Sequence, residues 1–137
     1  MGRHELREHI FELLFGVEFH SPDELETQAG LYFECIGDID EADRAYISSK
    51  YERITALLPE LDSEIEKSSR SWKLERIGKT DLAILRLAVY EMKYDDDIPV
   101  GVAANEAVEL AKEYGGSDSA SFVNGIIGTV SRRLSEE

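Results

Sequence analysis

Apolar residues recur along this chain at the three-and-four spacing of an α-helix, and no stretch shows the period-two alternation with β-branched enrichment that marks a half-buried strand. The first helix is predicted over about residues 3–19. Leu6, Ile10, Leu13, Leu14 and Val17 fall on one stripe, and Phe11, Phe15 and Phe19 fall on a second at i, i+4, i+8. A helix apolar on two stripes packs centrally or meets a partner on one of them.

Ser21-Pro22-Asp23-Glu24 is a helix start: Ser21 can cap, Pro22 suits the first helical position, and Glu24 can close a capping box. A helix to about Cys35 follows, then a break over 37–40 with Asp40 as the next cap. The third helix covers about 41–57 and Pro59 stops it; a fourth runs over about 60–69. Residues 70–80 form a short helix and a turn with Gly78 as breaker. A helix over 81–94 carries Leu82, Leu85, Val89 and Met92. Asp95-Asp96-Asp97-Ile98-Pro99 is a solvated loop in which Asp97 helps to cap the next helix, about 102–114, with Ala103, Ala107, Leu110, Ala111 and Tyr114 inward. Gly115-Gly116 supplies its C-terminal cap. The last helix starts among Ser117, Asp118 and Ser119, ends near Leu134, and carries Val123, Ile126, Ile127, Val130 and Leu134. About seven short helices joined by short loops, with no repeat, make an all-α fold.

With 137 residues, 42% of them hydrophobic, the chain can bury a core as one domain or two tightly fused sub-bundles. The lone Cys35 excludes an intramolecular disulfide, which suits a reducing compartment. The N-terminus lacks the apolar core of a secretory leader, and no apolar run approaches the roughly 18 residues that span a membrane. A soluble cytoplasmic protein is expected.

The net charge of −14 opposes binding to a polyanion, but its distribution is uneven. Residues 23–66 carry three basic and thirteen acidic side chains. Residues 67–86 are basic, with Lys67, Arg70, Lys73, Arg76, Lys79 and Arg86 against Glu75 and Asp81.

Catalytic motifs are missing. There is no phosphate-cradling glycine loop, no nucleophile elbow and no H-E-x-x-H. His4 and His9, five positions apart, do not share a helical face, and Cys35 is distant, so no metal or cofactor is expected. The run Asp95–Asp97 lacks the spaced oxygens of a calcium loop, and Glu106 with Glu109 reads as a solvated helix face.

Arg86 lies between Leu85 and Leu87 in an apolar helix and needs a carboxylate, with Glu106 or Glu91 as candidates. Asn105 and Asn124 read as structural amides, bonding between helices or capping loops. Gly125 inside a helix reads as allowing close helix packing. Phe122 follows a Ser/Gly/Asp loop at a helix start, where hydroxyls and backbone N–H groups favour phosphate and an aromatic ring can stack a base; a core role at the first turn fits its spacing equally well. Arg3, His4 and Arg7 form a small cationic tip diluted by Glu5 and Glu8; from spacing alone it reads as a solvated helix end.

Five stretches give the sequence a family likeness. They are Arg-Glu-His-Ile-Phe-Glu-Leu-Leu-Phe at 7–15, Ile-Leu-Arg-Leu-Ala-Val-Tyr-Glu at 84–91, Ile-Pro at 98–99, Asn-Glu-Ala-Val-Glu-Leu-Ala-Lys at 105–112 and Phe-Val-Asn-Gly at 122–125. In order and spacing the chain closely resembles the NusB family of bacterial transcription antitermination factors over essentially its whole length. The resemblance implies two small helical bundles packed at a steep angle, roughly 1–78 and 79–137, within a single RNA-binding domain. It implies a non-catalytic adaptor that binds the boxA RNA of ribosomal RNA leaders together with NusE, the small-subunit ribosomal protein, and joins the RNA polymerase antitermination complex.

The resemblance places RNA-binding residues at Arg3, His4 and Arg7 and at Ser117, Asp118, Ser119 and Phe122, to which Arg76 and Lys79 of the basic segment are added. It places the NusE-facing surface at Phe15, Glu75 and Asp81, which gives the second aromatic stripe a purpose. Many members carry a denser arginine run at the N-terminus, so weak binding to boxA alone, tightened by basic NusE, is expected here. Some members form homodimers that cover the RNA surface. Two further readings stay open: an accessory domain of the kind found in certain RNA cytosine methyltransferases, although no cofactor-binding α/β pattern follows in this chain, and a pure protein-interaction module.

Overall fold

The computed structural model describes residues 1–69 and 73–136, and every regular element among them is helical. Seven α-helices occur in order: α1 Arg3–Gly16, α2 Leu25–Ile36, α3 Glu41–Ala56, α4 Leu58–Ser69, α5 Lys79–Tyr94, α6 Val100–Tyr114 and α7 Ser119–Ser135. No described helix is long and apolar enough to cross a membrane. The chain divides into two compact units, Met1–Ala56 and Leu57–Glu137. The all-α expectation is met. Arg70, Ser71 and Trp72, part of the predicted short helix and turn, lie outside the described residues, as does Glu137.

In the first unit α1 packs along α3, and Ile10, Leu14, Ile47 and Ile54 lose all contact with solvent. The apolar stripe of α1 is the reason. The helix ends at Gly16 and tightens into a single 3₁₀ turn over Val17–Phe19. Between α1 and α2 runs a polar chain. The Tyr32 hydroxyl donates to Glu12 Oε2 at 2.6 Å, and His9 Nδ1 lies 2.7 Å from the Tyr32 hydroxyl oxygen. A phenol has one proton, and it points to Glu12, so His9 donates its Nδ1–H to Tyr32. Gly37, at φ 78°, ends α2 in the left-handed region that only glycine enters without strain.

The start at Ser21 takes the anticipated form. Glu24 Oε1 accepts from the Ser21 backbone N–H at 2.9 Å, and the Ser21 hydroxyl lies 2.7 Å from Glu24 Oε1 and 2.6 Å from Asp23 Oδ1. One 3₁₀ turn over Pro22–Glu24 then leads into α2. Hydrogen bonding to Ser21, above all to its side chain, holds both carboxyls below their ordinary values of 3.8 for Asp23 and 4.5 for Glu24.

In the second unit α4, α6 and α7 pack around α5. Every residue of α5 from Leu82 to Met92 is buried, so this helix has no solvent face along its middle turns. Arg86 is therefore desolvated, as its neighbours in sequence required. Its partner is neither Glu106 nor Glu91 in the bidentate role. Arg86 Nε and Nη2 donate to Asp62 Oδ1 and Oδ2 of α4 at 2.8 and 2.9 Å. Alongside, Glu64 of α4 accepts from Lys93 of α5 at 3.3 Å and from Arg133 of α7 at 3.0 Å, and Arg133 also donates to Ser68 at 3.1 Å. Helix α4 thus supplies carboxylates to buried Arg86 and half-buried Lys93 of α5 and to half-buried Arg133 of α7, and it lies in the same compact unit as they do.

Other local readings need correction. Helix α3 ends at Ala56 without help from Pro59, which falls in the first turn of α4, where its missing N–H leaves nothing unsatisfied. Pro99, not Asp97, caps α6; the carboxylate that shapes the loop is Asp95, whose Oδ1 accepts from the Asp97 N–H at 3.1 Å. Tyr114 is exposed, because α6 meets its neighbours through Ala103, Ala107, Leu110 and Ala111. Asn105 and Asn124 are both exposed and are not inter-helix amides. Gly125 is exposed too, and a Cβ built there meets nothing within 4 Å, so it does not serve close packing.

Three outcomes follow. Asp62→Ala lowers the free energy of unfolding in urea by about 3 kcal/mol, because it strands a buried guanidinium, and adding Arg86→Met recovers a large part. Gly125→Ala raises stability in the same assay by about 1 kcal/mol. The lowered carboxyl values of Asp23 and Glu24 mean that this helix start contributes fully above their ordinary range and loses its contribution as pH falls through the lowered values. In an NMR titration Ser21→Ala moves both midpoints upward.

Candidate nucleic-acid interface

Two segments of the second unit, some forty positions apart, line one cleft. The first is a 3₁₀ turn over Leu74–Arg76, followed by extended Ile77, whose side chain is buried, and by Gly78, which caps α5. The second is the α6–α7 turn. The cleft has a volume of about 430 Å³; Arg76, Gly78 and Asp81 line it from one segment, and Gly116, Ser117, Asp118, Ser119 and Phe122 from the other.

The α6–α7 turn is set by sterics and by its own hydrogen bonds. Gly115 caps the C-terminus of α6 as expected, its N–H on the Ala111 carbonyl at 2.9 Å, with ordinary extended angles, φ −91° and ψ 175°. Glycine is needed there for space. A Cβ would overlap Cβ and Oγ of Ser119 and press on the Ala111 carbonyl oxygen at 2.7 Å. The Gly116 N–H donates to Ser119 Oγ at 3.1 Å, and the Ser119 N–H returns to the Gly116 carbonyl at 3.1 Å. The Gly116 N–H is thus occupied within the turn and not offered to a ligand. Phe122 sits in the first turn of α7, its N–H on the Asp118 carbonyl at 3.0 Å. It is half-buried and lines the cleft.

Of the basic segment, Lys67, Lys73, Arg76 and Lys79 are exposed, whereas Arg86 is buried and neutralised by Asp62. Arg76 and Lys79 are the cations closest in sequence to the cleft wall. Asp81 faces the opposite way electrostatically. Its Oδ1 is shielded from solvent and accepts no hydrogen bond from any described residue. Asp81, which the family likeness assigns to a protein partner, therefore shares a cleft with the residues assigned to RNA. Helical spacing alone does not relate residue 81 to residue 122, so this juxtaposition is a product of the tertiary fold.

The N-terminal tip is smaller than expected. Arg3 is exposed, and half-buried His4 lies with Nε2 3.8 Å from the Glu8 carboxylate. Arg7 is only 4% exposed. It shares the i, i+4, i+7 face with Phe11 and Leu14, both buried, so the helix carries its stem inward. Arg7 therefore does not belong to a solvated helix end. On the second stripe burial declines along the helix: Phe11 is buried, Phe15 half-buried and Phe19 56% exposed. The rings touch in series, with centroids 6.5 Å apart for Phe11–Phe15 and 5.2 Å for Phe15–Phe19. Phe15 thus links the core to an exposed aromatic. Glu75 is exposed in the 3₁₀ turn.

The NusB family model matches residues 4–132. The transcription antitermination protein NusB of Lachnoclostridium phytofermentans is 49% identical over 130 residues, covering 95% of this chain and 98% of the relative. Its counterpart in Acetivibrio thermocellus is also 49% identical over 130 residues, covering 95% and 88%. Among solved structures, NusB of T. maritima superposes with a TM-score of 0.84 at 33% identity, covering 96% of this chain and 92% of that one. A structure described as antitermination factors NusB and NusE in complex with dsRNA shares the fold at a TM-score of 0.80 and 23% identity, covering 97% and 99%. With a matching family model, near-complete coverage and identities approaching one half, the chain belongs to the NusB family.

Proposed function

We propose that this protein is a non-catalytic adaptor in cytoplasmic transcription antitermination, binding the boxA element of ribosomal RNA leaders together with NusE and joining them to RNA polymerase. The cleft of the second unit carries this reading. A guanidinium at Arg76 suits a phosphate, the Phe122 ring offers a stacking surface, and Ser117 and Ser119 offer hydroxyls to base edges or sugars. These groups bind and orient; they do not make an activated nucleophile. Support also comes from the relatives, which bear the name of transcription antitermination proteins, and from the related fold described with NusE and dsRNA.

The global charge of −14 suits a basic protein partner, which would supply positive surface that this chain lacks. Phe15 and Phe19 on α1 and Glu75 on the second unit are the proposed contacts to that partner. Arg3 and His4 are proposed to add to RNA binding from the first unit.

Anisotropy titration of labelled boxA RNA, with and without NusE, tests the proposal. Binding is expected to be weak alone and tighter with NusE. Phe122→Ala weakens it by about 1–3 kcal/mol through lost stacking. Arg76→Ala lowers the slope of log affinity against log salt by about 0.7, the value for one contact to single-stranded phosphate. No preference for boxA over a scrambled sequence, with or without NusE, would reject the reading.

A further inference from the structure

Helix α2 is held to the first unit by little. Of its twelve residues only Phe33 is buried. A cleft of about 270 Å³ lies between α2 and α1, and a groove of about 660 Å³ lies between α2 and α3; Tyr51 of α3 lines both. To the groove α2 contributes Leu25, Ala29, Gly30 and Phe33, at i, i+4, i+5 and i+8. Helix α3 contributes Arg44, Ser48, Tyr51 and Thr55, at i, i+4, i+7 and i+11. Each set is one face of its helix, so the groove follows the helix axes for about 12–16 Å, two to three turns.

Small side chains keep the groove open. A Cβ built at Gly30 meets nothing within 4 Å. Glycine inside a helix is a local cost, and packing within this chain does not require it there. Leu25, Phe33 and Tyr51 add apolar surface along the trough.

Charge selects the occupant. Glu26 and Glu52, both exposed, stand on the two walls. Residues 22–56 carry nine acidic side chains against three basic ones. Of those three, Lys50 is fully buried, and Arg44 lies over the Phe33 ring, 4.6 Å from its centroid. An apolar trough with an acidic rim fits a helix that is apolar on one face and cationic on the other, and it repels nucleic acid.

We propose that the α2–α3 groove docks an amphipathic helix, basic on its polar face, from a protein partner. The groove uses none of the residues proposed for RNA or for NusE. It gives the first unit a contact surface of its own, and it stands or falls independently of those two readings.

The test titrates the ¹⁵N-labelled full chain with three synthetic peptides of about fourteen residues, some four helical turns. One is an amphipathic Leu/Lys helix, one has the same composition scrambled to lose its apolar face, and one is the Leu/Glu counterpart of the first. The amphipathic Leu/Lys peptide is expected to shift the amides of 25–33 and 44–56 and to bind at least about tenfold more tightly than the other two. Gly30→Leu, which fills the groove from an open position, keeps the thermal unfolding midpoint and weakens this peptide by about tenfold. Glu26→Lys with Glu52→Lys reads the same site through charge alone, should Gly30→Leu fail to fold, and also weakens binding by about tenfold. Asp96→Lys with Asp97→Lys, an equal change in net charge on the α5–α6 loop, alters binding by less than about twofold.

Amide shifts scattered over the chain, or confined to the surroundings of Phe15 and Phe19, would overturn the proposal. So would wild-type affinity in a folded Gly30→Leu, or equal losses from the two charge reversals. A doubling of mass in light scattering without peptide, accompanied by shifts over 25–33 on dilution, would give the groove to a second copy of this chain and overturn it too.

Discussion

A helix buried on every face has no solvent in which to leave a charge, and α5 carries Arg86 at its centre. The bidentate bond from Arg86 to Asp62 is the constraint on which the second unit depends. A fork of two parallel N–H donors accepts a carboxylate in one plane and at one height, so it fixes both the register and the rotation of α4 against α5. Glu64, two residues further along α4, accepts from Lys93 with one oxygen and from Arg133 with the other, and so brings in α7. Such pairs add little net stability compared with apolar side chains of the same shape. Their effect here is selective: an α4–α5 pairing out of register would leave a guanidinium buried without its carboxylate. An apolar interface of Leu and Ile would tolerate such a slip more readily.

Fixing α5 fixes its amino end, and the cleft is built from amino ends. Asp81 lies in the first turn of α5 and Phe122 in the first turn of α7. The loops entering those helices supply Arg76 and Gly78 on one side and Gly116, Ser117 and Asp118 on the other. Gly115 lets the second loop fold tightly over Ser119. The chemistry of the site is thus carried by short connections, while its geometry is inherited from the ion pairs behind it. This is the usual division between a rigid scaffold and the loops it presents.

Charge gives the same picture at a different scale. The chain is strongly acidic, yet the residues around the cleft include exposed Arg76 and Lys79, while Arg86 of the same basic segment is consumed inside the fold. Sequence counting treats these cations alike. Burial separates those that project a field into solvent from one that answers a carboxylate in the core. The N-terminal tip divides in the same manner, with Arg3 outside and Arg7 inside.

The sequence by itself determined the helices, because helical periodicity and local start signals are properties of adjacent residues. The capping box at Ser21, the stripes of α1, α5, α6 and α7, and the need of Arg86 for a carboxylate were all legible without coordinates. The family motifs were legible too, and with them the set of residues on which the proposed function rests. Only the tertiary structure decided which partner each group meets: Asp62 for Arg86 across twenty-four positions, Asp81 beside Phe122, Arg7 turned inward, Gly125 and the two asparagines turned outward. The physical reason is that periodicity defines the face of a helix but not its neighbour. Which faces meet is settled by the sum of burial and charge neutralisation over the whole unit, and no local stretch of sequence contains that sum.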